Sequence, residues 1–355
     1  MKFLDYLGLY RPKINAEIKN LFERKLKNVK DDFLIGYYSE LQDYFLSGGK
    51  RIRPLLTIAT YNAFNKEKDE KVLTPSIGIE FLHNASLVHD DIIDKDNFRR
   101  GNPAFHYRFQ NYHKKYSLQK MDAIDYGNSI GIIGGDTTFF LGLEPYFYNE
   151  FKKEQNLKAI SLYEQAFIEI ANGVLIEMDM VNREDISISD YINMISLKTS
   201  ALIEKSLLIG ANYADVNETN IKLLSNYGTN LGIVFQITDD ILGSFGDEKV
   251  TGKPTDGDIR EGKKTCLLIE AYEKLNDKKK EQLNKLIQNQ NMTKNDVQKV
   301  KDLFLEANAV DSCKELSRNY FDKAKNALDD LKKVIETSEA EFFESLLNFV
   351  LNRNY

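Results

Sequence analysis

The placement of proline constrains the fold of this chain more than any other feature. Among 355 residues only six prolines occur, and the tracts 146–253 and 255–355 contain none. Because proline breaks helix interiors, its absence over such lengths favours helices. Apolar residues recur at helical spacing, as at Ala324, Leu328 and Leu331, and no run alternates as a strand would. The sequence therefore predicts an all-α fold with ten or more helices.

The organisation along the chain predicts a single domain over residues 1–355, because no proline- or serine-rich linker marks a boundary. The segment Asn111–Tyr126, rich in Lys, Tyr and Gln, is predicted to be a loop or an irregular surface excursion. The most apolar segment, Ser129–Phe147, contains Asp136 and Glu144. It is therefore predicted to be a buried helix and not a membrane span.

Composition excludes several classes of function. A net charge of -6 and a pI near 5.5 leave no general basic field, so we expect no nucleic-acid partner. Cys266 and Cys313 have neither disulfide-framework nor zinc-site spacing and fit a reducing compartment. The first 19 residues are too charged for a signal peptide, and we expect a cytoplasmic protein.

The first acidic cluster is Asp90-Asp91-Ile92-Ile93-Asp94. Asp90 and Asp94 lie on one face of a helix, and Asp91 lies about 100° round from Asp90. Three carboxylates in one space repel unless a cation lies between them, and oxygen-only donors favour Mg²⁺. The alternative is a solvated acidic helix face, although the apolar flanks place these carboxylates at the wall of a packed interior.

Basic residues occur in two motifs near this cluster. GGKRIRP, at positions 48–54, puts two permissive glycines before Lys50 and Arg53, which suits a phosphate cradle. Arg99 and Arg100 follow the acids directly and could grip a metal-bound anion. The alternative is a salt bridge between these arginines and the aspartates.

All four histidines fall in one window around the first cluster, at His83, His89, His106 and His113. His83 could donate to a diphosphate, and His89 could pack or orient Asp90. For each histidine a structural role remains open. No HxxxH pair or cysteine accompanies them, so a zinc site is not expected.

The second acidic cluster is Asp239-Asp240, preceded by Gln236. Gly243 stands where the first cluster has its i+4 acid, so this helix offers fewer ligands. The loop that follows is crowded with charge and could close over a charged ligand; its members include Lys253, Asp258, Arg260, Lys263 and Lys264. Upstream, Lys198-Thr199 lies in an otherwise apolar helical tract, where a lysine either binds an anion such as phosphate or extends to the surface.

These motifs occur in one order: GGKRIRP, HDDIIDKDNFRRGNP, Gly135-Asp136, Lys198-Thr199 and FQITDDILGSFGDEKVTGKPTDGDIREGKKT. In this order they resemble those of the trans-isoprenyl (polyprenyl) diphosphate synthase family. The resemblance spans nearly everything from Gly48 to Thr265 and is greatest for the archaeal-type geranylgeranyl diphosphate synthases. Five ordered motifs are far more specific than any single one.

The resemblance implies an isoprenoid synthase type I fold, a single large helical bundle around a central cavity, usually as a homodimer. It implies three Mg²⁺ ions that hold an allylic diphosphate, two on Asp90 and Asp94 and one on Asp239. Asp91 and Asp240 complete the expected metal-binding set. By the same resemblance, the substrate ligands divide into an allylic set of Arg99, Lys198 and Lys253, with Lys263 near by, and an isopentenyl set of Lys50, Arg53, His83 and Arg100.

The implied reaction is a prenyl transfer. An allylic cation forms as diphosphate departs, Thr199 and Gln236 stabilise it, and isopentenyl diphosphate attacks it, with released diphosphate taking the proton. Gly173-Val174 replaces the family's Gly-Gln pair, with Glu177 where an Asp is common.

The expected product is geranylgeranyl diphosphate or a longer all-trans polyprenyl diphosphate. Ala85 and Ser86 stand where chain-limiting relatives place a large aromatic residue. Leu82, Ile79, Phe139 and Phe140 are the alternative candidates for the tunnel floor. Two rival functions stay open: a terpene cyclase of the same architecture, and a non-catalytic regulatory subunit of a prenyl synthase.

Overall fold

The computed structural model describes residues 1–65, 67, 70–246 and 255–353. They form two compact units, the first made of 1–164 with 206–216 and the second of 165–205 with 217–355. Two of the boundaries, at 164/165 and 205/206, fall inside helices, and the third, at 216/217, lies in a short connection between helices. The single-domain organisation over 1–355 therefore stays a prediction.

The first unit is helical with one very short hairpin. The strands Phe98–Arg99 (β1) and Asn102–Pro103 (β2) pair antiparallel. The helices are α1 (Phe3–Leu26), α2 (Asp32–Leu46), α3 (Ile52–Phe64), α4 (Leu73–Ile93), α5 (Phe105–Lys115), α6 (Ala123–Leu141) and α7 (Glu144–Phe147), with the first part of α8 (Lys153–Met180) and the last part of α10 (Ala201–Tyr213).

Helix α4 is the centre of the first unit, because α1, α3, α5, α6 and α7 all pack against it. Phe81 on α4 lies 4.5 Å from the ring of Phe45 and 5.6 Å from that of Phe22, and all three are fully buried. Burial of such aromatic side chains contributes most to a core of this kind. It fixes the position of α4, whose last turn carries the first acidic cluster.

The second unit is also helical. After the rest of α8 come α9 (Ile188–Ile195), a π-helical turn (Ser196–Ser200) that leads into α10, and α11 (Glu218–Phe245). The remaining helices are α12 (Gly257–Arg260), α13 (Cys266–Lys274), α14 (Asp277–Ile287), α15 (Lys294–Glu306), α16 (Ala309–Leu331) and α17 (Thr337–Leu351).

Helix α11 organises the second unit by packing against α16, α17 and the π-helical turn. The hydroxyl of the buried Tyr227 on α11 donates to the carbonyl of Phe343 on α17 at 2.9 Å. Cys266 and Cys313 are free thiols inside the core of this unit, as their spacing predicted. The second acidic cluster lies towards the end of α11.

The all-α prediction is confirmed. Two local predictions are corrected: α5 and α6 extend into 111–126 and leave only residues 116–122 outside helices, because Tyr112 and Tyr126 pack the two helices together. The segment 129–147 is only partly buried, with Ile133 and Phe140 exposed. Within the described part of the chain, no helix is both long and apolar enough to cross a membrane.

Gly232 allows α11 to pack closely against the π-helical turn. A Cβ added there would lie 2.4 Å from the Cα of Ser200, so Gly232→Ala must push the π-helical turn away from α11. We expect overpacking to lower the free energy of unfolding by about 1–3 kcal/mol. Gly36→Ala is the matched control, because nothing lies within 4 Å of its Cβ; it should stabilise α2 by up to about 1 kcal/mol. Urea unfolding measures both, and equal effects would contradict this packing.

Candidate active site

The last turn of α4 presents Asp90 and Asp94 together. Helical geometry continues through this turn, since the amide of Asp94 donates to the carbonyl of Asp90 at 2.8 Å. Both residues are half-buried, so each keeps some contact with solvent at the helix end. Accessible oxygens on one face are the donor arrangement that a hard cation needs.

Asp91 points the other way. It is fully buried, and its carboxylate accepts hydrogen bonds from Arg99 Nε and, at 3.0 Å, from the Tyr44 hydroxyl. Burial and the Asp91 charge raise the pKa of Tyr44, which therefore stays a donor. The salt-bridge alternative is thus realised for Arg99. This geometry favours Asp91 as the residue that positions Arg99, and its role as a metal ligand stays a prediction.

The two glycines of GGKRIRP pack against Arg100. Gly48 and Gly49 have φ angles of +143° and +103°, which L side chains rarely adopt. Arg100 Nη1 donates to the carbonyl of Gly48 at 3.1 Å, and a Cβ on Gly49 would lie 3.2 Å from the guanidinium carbon. The glycines therefore join the two basic motifs, which are 50 residues apart in sequence, into one surface.

Arg51 supports this surface from within the core, a role that the sequence did not reveal. Its guanidinium is 2% exposed, donates to Glu80 at 2.9 Å and to Asn15 at 2.9 Å, and also bonds the carbonyl of Phe45. This arginine anchors the basic loop to α1, α2 and α4. The one sequence signal was Glu80, an acid within the apolar tract of α4, since a buried charge requires a partner.

Arg53 and His83 line the same surface with buried polar groups. Burial, together with the Arg100 charge, lowers the pKa of Arg53 to about 10 although Glu80 opposes this. Arg53 Nε is buried with no hydrogen-bond partner among the described residues. Burial and the charges of Arg53 and Arg100 also hold the pKa of His83 well below 6.5, so its imidazole is neutral at pH 7. A buried donor of this kind favours an anionic ligand.

The other histidines have structural surroundings. His89 Nε2 lies 3.1 Å from the carbonyl of Ile132 and 3.6 Å from Asp136. A Cβ on Gly135 would lie 2.1 Å from the same nitrogen, so Gly135 makes room for this ring. His106 and His113 are buried. These contacts favour packing roles for all three.

In the second unit, the π-helical turn carries Lys198 and Thr199. Gly173 of α8 lets the turn approach, because a Cβ there would lie 2.4 Å from the amide nitrogen of Lys198. Lys198 forms an ion pair with Glu177, so the acid that departs from the family pattern is its partner. Both side chains remain partly exposed, at 22% and 18%. Local π-helix is frequent at functional sites.

A hydrogen-bond chain links Thr199, Gln236 and the second acidic cluster. The Thr199 hydroxyl donates to Gln236 Oε1 at 2.6 Å, and Gln236 Nε2 donates to Asp240 Oδ1 at 2.7 Å. The Tyr191 hydroxyl donates to the other oxygen of Asp240 at 2.7 Å. Burial, and then the Asp258 charge, raise the pKa of Asp240 to about 8. This geometry favours Asp240 as the anchor of Gln236, and its role as a metal ligand stays a prediction.

Asp239 is the accessible member of this pair, with 53% of its side chain exposed. Arg353, two residues after α17, lies 3.3 Å from its carboxylate and 4.5 Å from the centre of the Phe235 ring. Sequence reasoning gave no signal for this arginine, which comes from more than 110 residues away. In this structure a guanidinium therefore balances the Asp239 charge.

Asp258 lies over Gly243, the position where the second motif lacks its third acid. A Cβ on Gly243 would be 3.1 Å from Asp258 Oδ2. Lys263 lies 3.9 Å from Asp258 and 2.8 Å from Glu261. Burial raises the pKa of Asp258, and the Lys263 charge opposes this. Lys253 lies outside the described residues.

The accessible acids have the donor chemistry that Mg²⁺ requires. Within the described ranges, no three His, Cys, Asp or Glu side chains converge closely enough to hold an ion by themselves. Asp90 and Asp94 in the first unit, and Asp239 in the second, nevertheless each offer oxygen donors that are at least partly exposed, with no soft ligand. Mg²⁺ commonly takes one or two carboxylates and completes its shell with water and substrate phosphate. The residues fit an ion that binds together with a phosphorylated substrate.

Comparison with known proteins finds relatives that match most of this chain. The family model for polyprenyl synthetase matches residues 36–304. A geranylgeranyl diphosphate synthase of Sulfolobus acidocaldarius is 34% identical over 320 residues, covering 89% of this chain and 90% of that protein. A geranylfarnesyl diphosphate synthase of Aeropyrum pernix is 32% identical over 311 residues, covering 86% and 91%.

Solved structures show the same fold. A geranylgeranyl pyrophosphate synthetase from Pyrococcus horikoshii has a TM-score of 0.77 at 29% identity and covers 97% of this chain and 99% of that one. A geranylgeranyl pyrophosphate synthase from Corynebacterium glutamicum, complexed with isoprenyl diphosphate and magnesium, covers both chains completely with a TM-score of 0.91 at 24% identity. At that identity the second likeness bears on fold alone.

Proposed function

The chain belongs to the polyprenyl synthetase family, and from this premise we propose that it is a Mg²⁺-dependent prenyltransferase. It condenses isopentenyl diphosphate with an allylic diphosphate, makes geranylgeranyl diphosphate or a longer all-trans product, and releases diphosphate. The observation that carries the proposal is the buried Nε of Arg53, a donor with no hydrogen-bond partner in the described chain. It lies within the basic surface that also contains His83 and Arg100. A diphosphate supplies the acceptors that this surface needs.

The isopentenyl diphosphate site is formed by Lys50, Arg53, His83 and Arg100. Arg53 and Arg100 offer planar donors that match phosphate oxygens, and the glycines fix Arg100 in place. His83 is neutral, so it contributes one N–H donor without adding charge. The positive charges of Arg53 and Arg100 at this surface favour an anion over a neutral ligand.

The allylic diphosphate is held by Arg99, Lys198 and Lys253, with Lys263 near by. Asp90, Asp94 and Asp239 bind the Mg²⁺ ions, three per site by family resemblance. When bound, the ions neutralise charge that develops on the departing diphosphate. Asp91 keeps Arg99 in place, and Glu177 does the same for Lys198.

The reaction breaks the allylic C–O bond, and diphosphate leaves with the electron pair. The double bond of isopentenyl diphosphate attacks the resulting cation and forms a C–C bond. The new cation then loses a proton to the released diphosphate, which restores a double bond. The Thr199 hydroxyl donates a hydrogen bond to Gln236, so the lone pairs of its oxygen can face a cation. Asp240 and Tyr191 hold Gln236 and thereby the hydroxyl orientation.

Elongation of an allylic primer tests the function directly. The purified chain with labelled isopentenyl diphosphate, geranyl or farnesyl diphosphate and Mg²⁺ should give longer prenyl alcohols after phosphatase treatment. Asp90→Asn keeps the shape but removes a charge from the metal site, and should lower kcat/KM by roughly 100-fold or more. Asp32→Asn, in the exposed first turn of α2, is the matched control and should not change the rate.

Three outcomes would contradict the proposal. Cyclisation of the primer without incorporation of label would indicate a terpene cyclase. No turnover unless a partner synthase is added would indicate a regulatory subunit. Equal rates for Asp90→Asn and Asp32→Asn would remove Asp90 from the site.

Product length depends on the face of α4 that leads away from Asp90. Ser86 is four residues earlier, about 40° round from Asp90, and is half-buried. Ala85 is about 140° round and fully buried, as are Leu82 and Ile79. Phe140 is 74% exposed, which disfavours it as the tunnel floor within its own unit. Small residues beside the acidic cluster favour a product of twenty carbons or more.

Ala85→Phe and Ser86→Phe should both shift the products towards shorter chains, because each places an aromatic ring one helical turn from Asp90. The half-buried Ser86 tolerates the change, whereas Ala85→Phe should also cost about 1–3 kcal/mol of stability through overpacking. Chromatography of dephosphorylated products measures length, and Ser86→Ala is the control. Unchanged length in both Phe variants would refute this placement of the tunnel floor.

The exposed face of α6 supports a homodimer. Ile133 and Phe140 are 57% and 74% exposed and lie two turns apart, so the described residues leave both largely uncovered. Exposed apolar faces of this kind mark interaction sites, and a second copy is the occupant that family resemblance suggests.

Disruption of this face tests the dimer. Light scattering should give twice the chain mass of 40.9 kDa, and Ile133→Glu with Phe140→Glu should give the single-chain mass. Leu4→Glu, at another exposed apolar residue on α1, should leave the dimer intact. A monomeric parent protein, or a double variant that remains dimeric, would contradict the assignment.

A further inference from the structure

The turn between α5 and α6, residues 114–121, combines exposed apolar and basic side chains. Tyr116, Leu118 and Met121 are 54%, 36% and 48% exposed. Neither the prenyl-transfer site nor the α6 face uses any of them. This 114–121 turn belongs to the Lys- and Tyr-rich segment that the sequence set apart and the proposed function does not explain.

The charge of the 114–121 turn opposes that of the chain. Lys114, Lys115 and Lys120 are all exposed and no acid occurs between positions 114 and 121, whereas the chain has a net charge of -6. Asp122 follows, but its carboxylate caps α6 by accepting from the amides of Ile124 and Asp125. Lys114 and Lys115 complement the negative end of the α5 helix dipole. The dipole does not account for Lys120 or for the exposure of the three apolar side chains.

Packing beneath the 114–121 turn holds it in shape. Tyr112 lies 5.9 Å from the ring of Phe33 and stacks on Tyr126 at 6.5 Å. His113 Nε2 lies 2.6 Å from the carbonyl of Met121, so the base of the turn is pinned across its two ends. The exposed side chains are thus presented on a fixed scaffold, which lowers the conformational cost of binding.

We propose that the 114–121 turn docks the protein reversibly on an anionic lipid surface. Lysines near a membrane surface are attracted by anionic headgroups, and a tyrosine with neighbouring apolar side chains suits the headgroup boundary. The biological reason rests on the proposed function: the product is an amphiphile with a diphosphate head and a long hydrocarbon tail. Such a product partitions into membranes, so docking would deliver it where it is soluble.

Co-sedimentation of the full chain with vesicles tests the proposal. Vesicles of phosphatidylcholine with about one-third phosphatidylglycerol should bind the protein, pure phosphatidylcholine should bind it at least about tenfold less, and salt should weaken binding. Lys114→Gln with Lys115→Gln and Lys120→Gln should reduce binding about tenfold or more. Tyr116→Ser with Leu118→Ser and Met121→Ser should also reduce it.

The matched control removes the same charge elsewhere. Lys152, Lys153 and Lys158 are three exposed lysines on and before α8, and their change to Gln should leave vesicle binding unchanged. Absence of binding by the parent chain, equal binding to both vesicles, or retained binding by either turn variant would overturn the proposal. Elongation of a soluble short primer without vesicles is measured separately, so failure of catalysis is distinguished from failure of docking.

Discussion

An excess of buried positive charge in the first unit is the constraint on which its functional surface depends. Glu80 balances Arg51, and Asp91 balances Arg99. Burial lowers the pKa of both Arg53 and Arg100, because it makes the charged form of each side chain less favourable. Removing one partner from a buried ion pair is strongly destabilising, by about 3–5 kcal/mol, so the two pairs form a rigid frame. A bound diphosphate, the ligand proposed for this surface, would compensate the remaining charge.

Both acidic clusters pair an accessible aspartate with a buried one. Each begins with two adjacent aspartates, and in each the second is buried and held by a tyrosine hydroxyl, Tyr44 for Asp91 and Tyr191 for Asp240. The first of each pair, Asp90 or Asp239, is accessible. Neighbouring residues on a helix point about 100° apart, which allows one aspartate to face inward while the other remains accessible. The inner aspartate positions a neighbouring side chain, and the outer one can reach a cation.

The sequence predicted the helical class because proline placement and periodicity act locally, along one helix at a time. It also placed the motif residues, since their spacing is a property of single segments. It could not predict that Asp91 faces inward, because apolar residues flank both aspartates. The buried role of Arg51 could not be distinguished from the roles of Lys50 and Arg53, because only the fold shows which of the three cations pairs with Glu80. The 111–126 segment was misjudged because packing between Tyr112 and Tyr126 overrides a polar composition.

The surroundings of Gly243 could not be predicted from its own helix. Counting residues on α11 leaves the second motif one carboxylate short of the first. In the structure, Asp258 from α12 lies over Gly243, where an added Cβ would crowd its Oδ2 at 3.1 Å. A carboxylate therefore lies next to this position, from a segment 15 residues further along the chain. Counting residues along one helix cannot find this contact, because only tertiary structure brings Asp258 close to Gly243.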